Sequence, residues 1–215
     1  MSATKLLFLD CDSTLSAIEG IDELGGLRGP EIFQQVKELT DLAMDGKIPI
    51  DQIFKRRLDV IAPSRTECAA IARRYIERIE PTAAETVNAV RAAGWTPVIL
   101  SGGFTQVIEP LAELLGIASI EAVAFCFDGD GNYAGFDEEF PTTRNGGKAE
   151  VIERWKARHP GARTVMIGDG VSDLEAKPVV DRFIGYGGFA EREKVREGAE
   201  FYVMRLADIL PLLPT

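Results

Sequence analysis

Residues 5–14 read KLLFLDCDST, a short apolar run that ends in two aspartates, Asp10 and Asp12. Four consecutive apolar residues bounded by polar ones are typical of a strand that is buried on both faces. Similar runs recur at residues 97–100, 122–127, 164–167, 183–185 and 201–204, with helix-like stretches between them. This alternation predicts an α/β protein with a doubly wound, Rossmann-like parallel sheet and helices on both of its faces.

The stretch from residue 19 to residue 80 breaks this alternation. It has helical patterns and no convincing strand, the patterns lying at residues 31–42, 51–60 and 65–79. Pro81 then marks the return to the strand-helix rhythm. We therefore expect a core formed by residues 1–18 and 81–215, with a small helical cap, residues 19–80, inserted after the first strand.

The charge composition argues against several classes of partner. The chain has 215 residues, with 34 Asp and Glu against 24 Lys and Arg, and a formal net charge of −10. Such a surface repels nucleic-acid phosphates and anionic lipids, and no apolar run approaches the ~18–20 residues that span a bilayer. We expect a cytoplasmic protein, a monomer or homodimer, that binds neither nucleic acid nor membrane.

The scarcity of histidine and cysteine limits the kinds of site and reaction that the chain could have. The one histidine, His159, precedes a proline at a predicted helix end, and the three cysteines, Cys11, Cys68 and Cys126, are far apart. Histidine-dependent triads, histidine-rich zinc sites and a disulfide framework are therefore not expected. Any reaction must depend on carboxylates, lysine, arginine, serine and threonine.

Four polar clusters lie where strands end or a helix begins. They are Asp10-Cys11-Asp12-Ser13-Thr14, Ser101-Gly102-Gly103, Gly146-Gly147-Lys148 and Gly168-Asp169-Gly170-Val171-Ser172-Asp173. The carboxyl ends of parallel strands converge on one crevice, so we expect the clusters to meet there. Their four aspartates favour a hard cation such as Mg²⁺, and Lys148 with the Ser101 hydroxyl and nearby backbone N–H groups would bind a phosphoryl group.

A carboxylate in this crevice can act as a nucleophile on phosphorus. Asp10 ends the strand and is the more rigidly held of the first pair, so we assign it the attack that forms an aspartyl-phosphate. Asp12 would protonate the leaving alkoxide and then deprotonate the water that hydrolyses the intermediate. The alternative for each cluster alone is a helix or turn cap, but four caps of this kind are much less probable together.

In order and spacing, the four clusters resemble the motifs of the haloacid dehalogenase superfamily phosphatases. Residues 19–24, 133–138 and 185–188 are similar to stretches of the phosphoserine phosphatases in particular. The resemblance extends from about Phe8 to Tyr202. It implies Mg²⁺-dependent hydrolysis of O-phospho-L-serine to L-serine and phosphate through phospho-Asp10, as in L-serine biosynthesis.

The resemblance also implies residue roles. Mg²⁺ would be held by the Asp10 carboxylate, the Asp12 carbonyl and Asp169, with Asp173 in support. The substrate, including its phosphoryl group, would be bound by Glu19, Met44, Arg57, Ser101, Gly102, Gly103, Lys148, Ser172 and Arg192. Within the cap, Glu19 would bind the ammonium group and Arg57 the carboxylate of the substrate.

Three positions depart from the family pattern, and they leave alternatives open. Asp45 stands where glycine is frequent, Ile50 where phenylalanine is frequent, and Ser172 where threonine or asparagine is usual. A phosphatase or phosphotransferase of the same fold that acts on another small phosphomonoester is therefore an alternative. A more distant alternative is a non-enzymatic phospho-acceptor of the receiver type, against which the Asp10-x-Asp12 pair and the large cap argue.

Overall fold

The computed structural model describes residues 4–214, and within that range it contains eight strands. They are β1 (Lys5–Leu9), β2 (Trp95–Phe104), β3 (Ser119–Val123), β4 (Phe125–Phe127), β5 (Tyr133–Phe136), β6 (Arg163–Gly168), β7 (Arg182–Tyr186) and β8 (Phe201–Val203).

The α-helices of the same range alternate with these strands except in two regions, the run of helices α1–α5 and the run of strands β3–β5. They are α1 (Gly20–Gly26), α2 (Pro30–Met44), α3 (Phe54–Ile61), α4 (Arg65–Glu77), α5 (Ala83–Ala92), α6 (Thr105–Leu115), α7 (Gly147–Arg158), α8 (Val171–Leu174) and α9 (Glu193–Gly198). Short 3₁₀ turns occupy Ile50–Gln52, Pro141–Thr143, Lys177–Val179 and Leu206–Leu212. Among the described helices, none combines the length and the apolar character needed to cross a membrane.

Six strands form one parallel sheet in the order β3-β2-β1-β6-β7-β8. The chain moves outward from β1 to β2 and β3, then returns to the other side of β1 and continues through β6, β7 and β8. This is the doubly wound α/β arrangement that the sequence predicts, and β1 lies at its centre.

Both faces of β1 are covered, which explains why its sequence is an uninterrupted apolar run. Leu7 and Leu9 belong to one hydrophobic core, which includes residues of the helices α5 and α6. Leu6 and Phe8 point into a second core, with Val151 and other residues of α7. A strand between two layers of helices has no solvent-facing side, so no polar residue interrupts it until its carboxyl end.

The run at residues 122–127 differs from the prediction of a single strand. The parallel strand β3 ends at Val123, and Phe125 begins β4, which pairs with β5 in an antiparallel hairpin. The backbone N–H and C=O of Phe125 both bond to the side chain of Gln106 at 2.9 Å, and its ring stacks on Phe104 at 4.0 Å between centroids. These contacts direct the chain away from the parallel sheet at Phe125. Hydropathy alone does not predict this change of direction.

The helices α1–α4 lie between β1 and α5, and we call them the inserted helices. No strand occurs between residues 20 and 77, in agreement with the helical patterns of the sequence. A capping box begins α4: the Ser64 hydroxyl accepts from the Glu67 N–H, and the Glu67 carboxylate accepts from the Ser64 N–H. Arg28 also pairs with Glu67 at 2.6 Å, which joins the loop after α1 to α4.

Replacing Ser64 with alanine removes the acceptor at the start of α4. We expect Ser64→Ala to lower the free energy of unfolding by about 1 kcal/mol, the usual cost of losing such a cap. Thr66→Ala is the matched control, because Thr66 is exposed in the same first turn and outside the capping box. Denaturant titration measures both, and equal losses would mean that the capping box contributes nothing.

Candidate active site

The strand register brings the polar clusters to one edge of the sheet. The last residue of β1 pairs with Ile99 of β2 and with Ile167 of β6, and the N–H of Asp10 donates to the Ile167 carbonyl at 2.9 Å. Ser101 and Asp169 each lie two residues beyond those partners. Side chains that are far apart in sequence therefore meet at the carboxyl ends of three adjacent parallel strands, as expected.

Lys148 supplies the positive charge of this edge. Its Nζ donates to Asp10 Oδ1 at 2.7 Å and to Asp173 Oδ1, and its side chain is 4% exposed. Lys148 is the second residue of α7, and Gly147 before it packs so closely on the Pro141 carbonyl that a Cβ there would overlap it. The glycine thus fixes the helix start that delivers the lysine.

Burial raises the pKa of two carboxyl groups in this cluster, Asp10 and Asp169. The pKa of Asp10 lies well above its usual value because of burial and the charge of Asp173, although Lys148 opposes both. Burial also raises the pKa of Asp169, reinforced by Asp10 and opposed by Arg192. For Lys148, burial acts to lower the pKa, but the two neighbouring aspartates outweigh it and hold the pKa above its usual value. Asp10, Asp12, Asp169 and Asp173 thus share this edge with two cations, Lys148 and Arg192, which leaves negative charge in excess.

Three of these carboxylates could hold a metal ion. Asp10, Asp169 and Asp173 each offer an oxygen, and these atoms lie within 4.8 Å of one another. Asp169 is held in place by Thr14, whose hydroxyl donates to Oδ1 at 3.2 Å, and by Arg192, whose Nε donates to Oδ2 at 3.1 Å. A donor set made only of carboxylate oxygens suits a hard divalent cation.

The Asp12 carboxylate accepts hydrogen bonds at both oxygens. Oδ1 accepts from the Gly20 N–H at 2.6 Å and from the Tyr75 hydroxyl, while Oδ2 accepts from the Ser101 hydroxyl at 3.1 Å. The Gly103 N–H donates to the same Ser101 oxygen at 2.9 Å, so that hydroxyl is directed towards Asp12. The position of Asp12 is thus fixed by groups from β2 and from the inserted helices.

Ser101, Gly102 and Gly103 lie inside β2 and not after it, unlike the prediction. The strand continues to Phe104, with its pairing to β3 shifted between Leu100 and Phe104. The hydrogen bond from Gly103 to the Ser101 side chain accompanies this irregularity. The apolar run ends at Leu100, so hydropathy marks the strand end too early.

Ten of the predicted residues line one cavity above this edge. They are Asp10, Asp12, Glu19, Met44, Arg57, Ser101, Gly102, Gly103, Lys148 and Ser172. Of the other three, Asp169 and Asp173 lie beside the cavity in the carboxylate cluster described above. Arg192 does not line the cavity; it bridges Asp169 and Asp45, which it contacts at 3.3 Å.

The Asp45 carboxylate pairs with two cations and does not line the cavity. Its carboxylate lies 3.0 Å from Lys47 Nζ as well as 3.3 Å from Arg192. Its pKa is lowered, because burial, which raises it, is outweighed by the hydrogen bonds from Lys47 and Arg192. Ile50, another departure from the family pattern, is buried in the cavity wall, and its N–H donates to the Asn145 side chain at 2.8 Å.

Glu19 and Arg57 bring opposite charges to the cavity wall. Glu19 accepts from the Ser13 hydroxyl at 2.6 Å, and burial together with the charge of Asp12 raises its pKa. Arg57 donates from Nη1 to Thr40 at 2.9 Å, and burial lowers its pKa to about 10. The Nε of Arg57 is buried and has no hydrogen-bond partner among the described residues.

Several cavity residues were not predicted from the sequence. They are Ile21, Thr40, Phe54, Phe104, Thr142 and Arg144. Thr40 precedes Met44 by one helical turn of α2, so the prediction for Met44 contained a signal for it. The Thr40 hydroxyl accepts from Arg57 and donates to Asp22 at 2.6 Å, so it links these two side chains. Burial raises the pKa of Asp22 to about 6. Thr142 and Arg144 lie in and just after a 3₁₀ turn, where no periodicity marks them.

Comparison with known proteins gives consistent matches. The haloacid dehalogenase-like hydrolase family matches residues 7–176. The chain is 37% identical over 216 residues to phosphoserine phosphatase of Bos taurus, covering 99% of this chain and 94% of that protein. It is 36% identical over 213 residues to phosphoserine phosphatase of Homo sapiens, with coverages of 97% and 92%. A phosphoserine phosphohydrolase-like protein of Francisella tularensis has a similar fold, with a TM-score of 0.89, 24% identity and coverages of 98% and 100%.

Metal-free protein should be stabilised by a hard divalent cation in a pH-dependent way. Because the folded pKa values of Asp10 and Asp169 are raised, their protonation favours the fold, and this contribution is lost as the pH rises through those values. Protons and metal compete for these oxygens, so the increase in Tm on adding Mg²⁺ should be larger near pH 7.5 than near pH 5. At about 100 times its Kd, the cation should add about 2.7 kcal/mol.

Asp169→Asn should abolish this response, and Asp51→Asn, an exposed site on another element, should keep it. Thermal unfolding with and without the cation measures the shift. An equal response in wild type and Asp169→Asn would place the cation elsewhere.

Proposed function

The chain belongs to the haloacid dehalogenase-like hydrolases, and on that basis we propose that it hydrolyses O-phospho-L-serine to L-serine and phosphate. The observation that carries the substrate assignment is the buried Nε of Arg57 in the cavity wall, which has no hydrogen-bond partner in the described part of the chain. A buried donor without an acceptor costs free energy, and the carboxylate of an amino-acid substrate would satisfy it.

The rest of the cavity suits a small zwitterion that carries a phosphoryl group. Glu19 would accept from the ammonium group of the substrate, and it lines the same cavity as Arg57. Lys148, Ser101 and the backbone N–H of Gly102 would bind the phosphoryl oxygens. The ammonium, carboxylate and phosphoryl groups of the substrate each need an opposite charge when they leave water. The side chains named here would supply all three.

We propose Mg²⁺ as the cation of the carboxylate cluster. The Asp10 carboxylate, the Asp12 carbonyl and Asp169 would hold it, with Asp173 in support. The fit rests on buried carboxylate oxygens within 4.8 Å of one another and on their excess of negative charge. When bound, Mg²⁺ supplies positive charge next to the phosphoryl oxygens.

The carboxylates then divide the reaction into two steps. A carboxylate oxygen of Asp10 attacks phosphorus while the bond between phosphorus and the serine oxygen breaks, and Asp12 gives that oxygen a proton. Asp12 next takes a proton from water, whose oxygen attacks phosphorus and breaks the bond to Asp10. Free phosphate leaves, and both aspartates return to their starting states.

The inserted helices would act as the cap that encloses the substrate. Contacts that join residues 19–80 to the rest of the chain near the cavity include Asp45 to Arg192, Ile50 to Asn145, and Lys55 to Glu138. Enclosure would exclude bulk water, which strengthens the charge interactions inside the cavity. A cytoplasmic location and a monomeric or dimeric state remain parts of this proposal.

Phosphate release tests the proposed substrate directly. Wild-type protein with Mg²⁺ should hydrolyse O-phospho-L-serine with a higher kcat/KM than O-phosphothreonine, a sugar phosphate or p-nitrophenyl phosphate. Activity on p-nitrophenyl phosphate alone would retain the phosphatase chemistry and overturn the amino-acid assignment. If an alcohol accelerates consumption of the substrate and a new phosphoester forms, the protein is instead a phosphotransferase.

Arg57→Met separates substrate recognition from chemistry. Losing charge-assisted hydrogen bonds to the substrate carboxylate should lower kcat/KM on phosphoserine about 100-fold, while p-nitrophenyl phosphate, which lacks that group, should change less than about threefold. Arg56→Met is the matched control, because Arg56 is exposed on the same helix. A similar loss on both substrates would show that Arg57 does not bind the carboxylate.

A further inference from the structure

Tyr75 connects the inserted helices to Asp12. It lies on the buried face of α4 with Cys68, Ile71 and Ala72, a spacing that by itself indicates only a hydrophobic core position. Its side chain is fully buried, and its hydroxyl donates to Oδ1 of Asp12, which lies 63 positions earlier in the chain. The Tyr75 phenol is therefore a polar contact to the proposed general acid from outside the four clusters.

The close approach of Tyr75 is built into the neighbouring backbone. A Cβ at position 20 would collide with the Tyr75 hydroxyl, so only glycine leaves room for the phenol there. The Gly20 N–H donates to the same Oδ1 at 2.6 Å. Ser16 donates from its hydroxyl to the Tyr75 carbonyl at 3.0 Å, which anchors this turn of α4 to the loop that follows Asp12.

The two oxygens of Asp12 consequently have different surroundings. Oδ1 accepts from two donors, which together occupy its acceptor positions. Among residues 4–214, Oδ2 accepts a hydrogen bond from Ser101 alone, at 3.1 Å, and it lies 2.6 Å from where a Cβ of Gly103 would stand. Ser101 and Gly103 line the cavity, so Oδ2 is the oxygen on the substrate side.

We propose that Tyr75 is a positioning residue for Asp12, whose hydroxyl fixes Oδ1 and leaves Oδ2 to exchange the proton with the leaving group. The proposal rests on the general-acid role given to Asp12 above. As the proton moves from Oδ2 to the substrate oxygen, Asp12 becomes a full carboxylate, and the Tyr75 hydrogen bond becomes charge-assisted. That bond therefore strengthens in the transition state and supports the step that needs an acid.

Tyr75→Phe tests this role through the leaving group. An alkoxide such as that of serine must be protonated as it leaves, whereas p-nitrophenolate leaves without a proton. Because kcat/KM reports steps up to release of the first product, Tyr75→Phe should lower it about tenfold on O-phospho-L-serine, with less than a twofold change on p-nitrophenyl phosphate. KM for phosphoserine should stay within about twofold.

Tyr186→Phe is the matched control. Tyr186, in β7, is 1% exposed, and its hydroxyl donates to none of the described carboxylates. This variant should leave kcat/KM unchanged on both substrates. Gly20→Ala keeps Tyr75 but displaces its hydroxyl from Oδ1, so it should show the same selective loss as Tyr75→Phe.

Equal losses on both substrates would overturn the proposal, because a displaced active-site loop slows every substrate alike. No loss on either substrate would overturn it as well. If wild-type protein hydrolyses p-nitrophenyl phosphate but not phosphoserine, the proposed substrate fails separately. The same comparison is then made with glycerol phosphate or O-phosphoethanolamine as the alkyl ester, and the selective loss should persist.

Discussion

The Lys148 ammonium lies between Asp10 and Asp173, and it holds together a cluster that would otherwise repel itself. Buried carboxylates at this spacing are costly unless cations offset them, and the chain supplies Lys148 on one side and Arg192 on the other. Four aspartates share this edge with those two cations, so negative charge remains in excess. Burial, reinforced by the neighbouring aspartates, raises the pKa values of Asp10 and Asp169. Carboxylate oxygens at this spacing could hold a divalent cation, which would offset the imbalance.

The parallel sheet makes this cluster possible and also made it predictable. Asp10 and Asp169 follow neighbouring parallel strands in which Leu9 pairs with Ile167, so their approach is a consequence of local sequence signals. An apolar run that ends in an aspartate marks the carboxyl end of a strand without any knowledge of tertiary structure. The doubly wound fold and ten cavity residues were therefore accessible from the sequence, with the family resemblance supplying those in the inserted helices.

The contacts that were not predicted all depend on packing between elements. Periodicity places Tyr75 on the buried face of α4 but does not say which atom its hydroxyl meets. Arg192 was predicted to contact the substrate, and its bridge to Asp45, which the sequence did not reveal, depends on how the inserted helices approach the sheet. Ser101 was expected after β2, because hydropathy cannot detect a strand that continues through two glycines. A sequence pattern shows whether a side chain is buried more readily than it shows which atoms that side chain contacts.

The proposed two-step mechanism depends on a covalent phosphoryl group on Asp10. Rapid acid quench of the protein during turnover of O-phospho-L-serine labelled in its phosphoryl group, followed by digestion and mass spectrometry, locates that group. We expect the label on the peptide that contains Asp10, at Asp10 itself, and its absence in Asp10→Asn. Label on Asp12, or turnover with no labelled protein at any quench time, would contradict the assignment of Asp10 as the nucleophile.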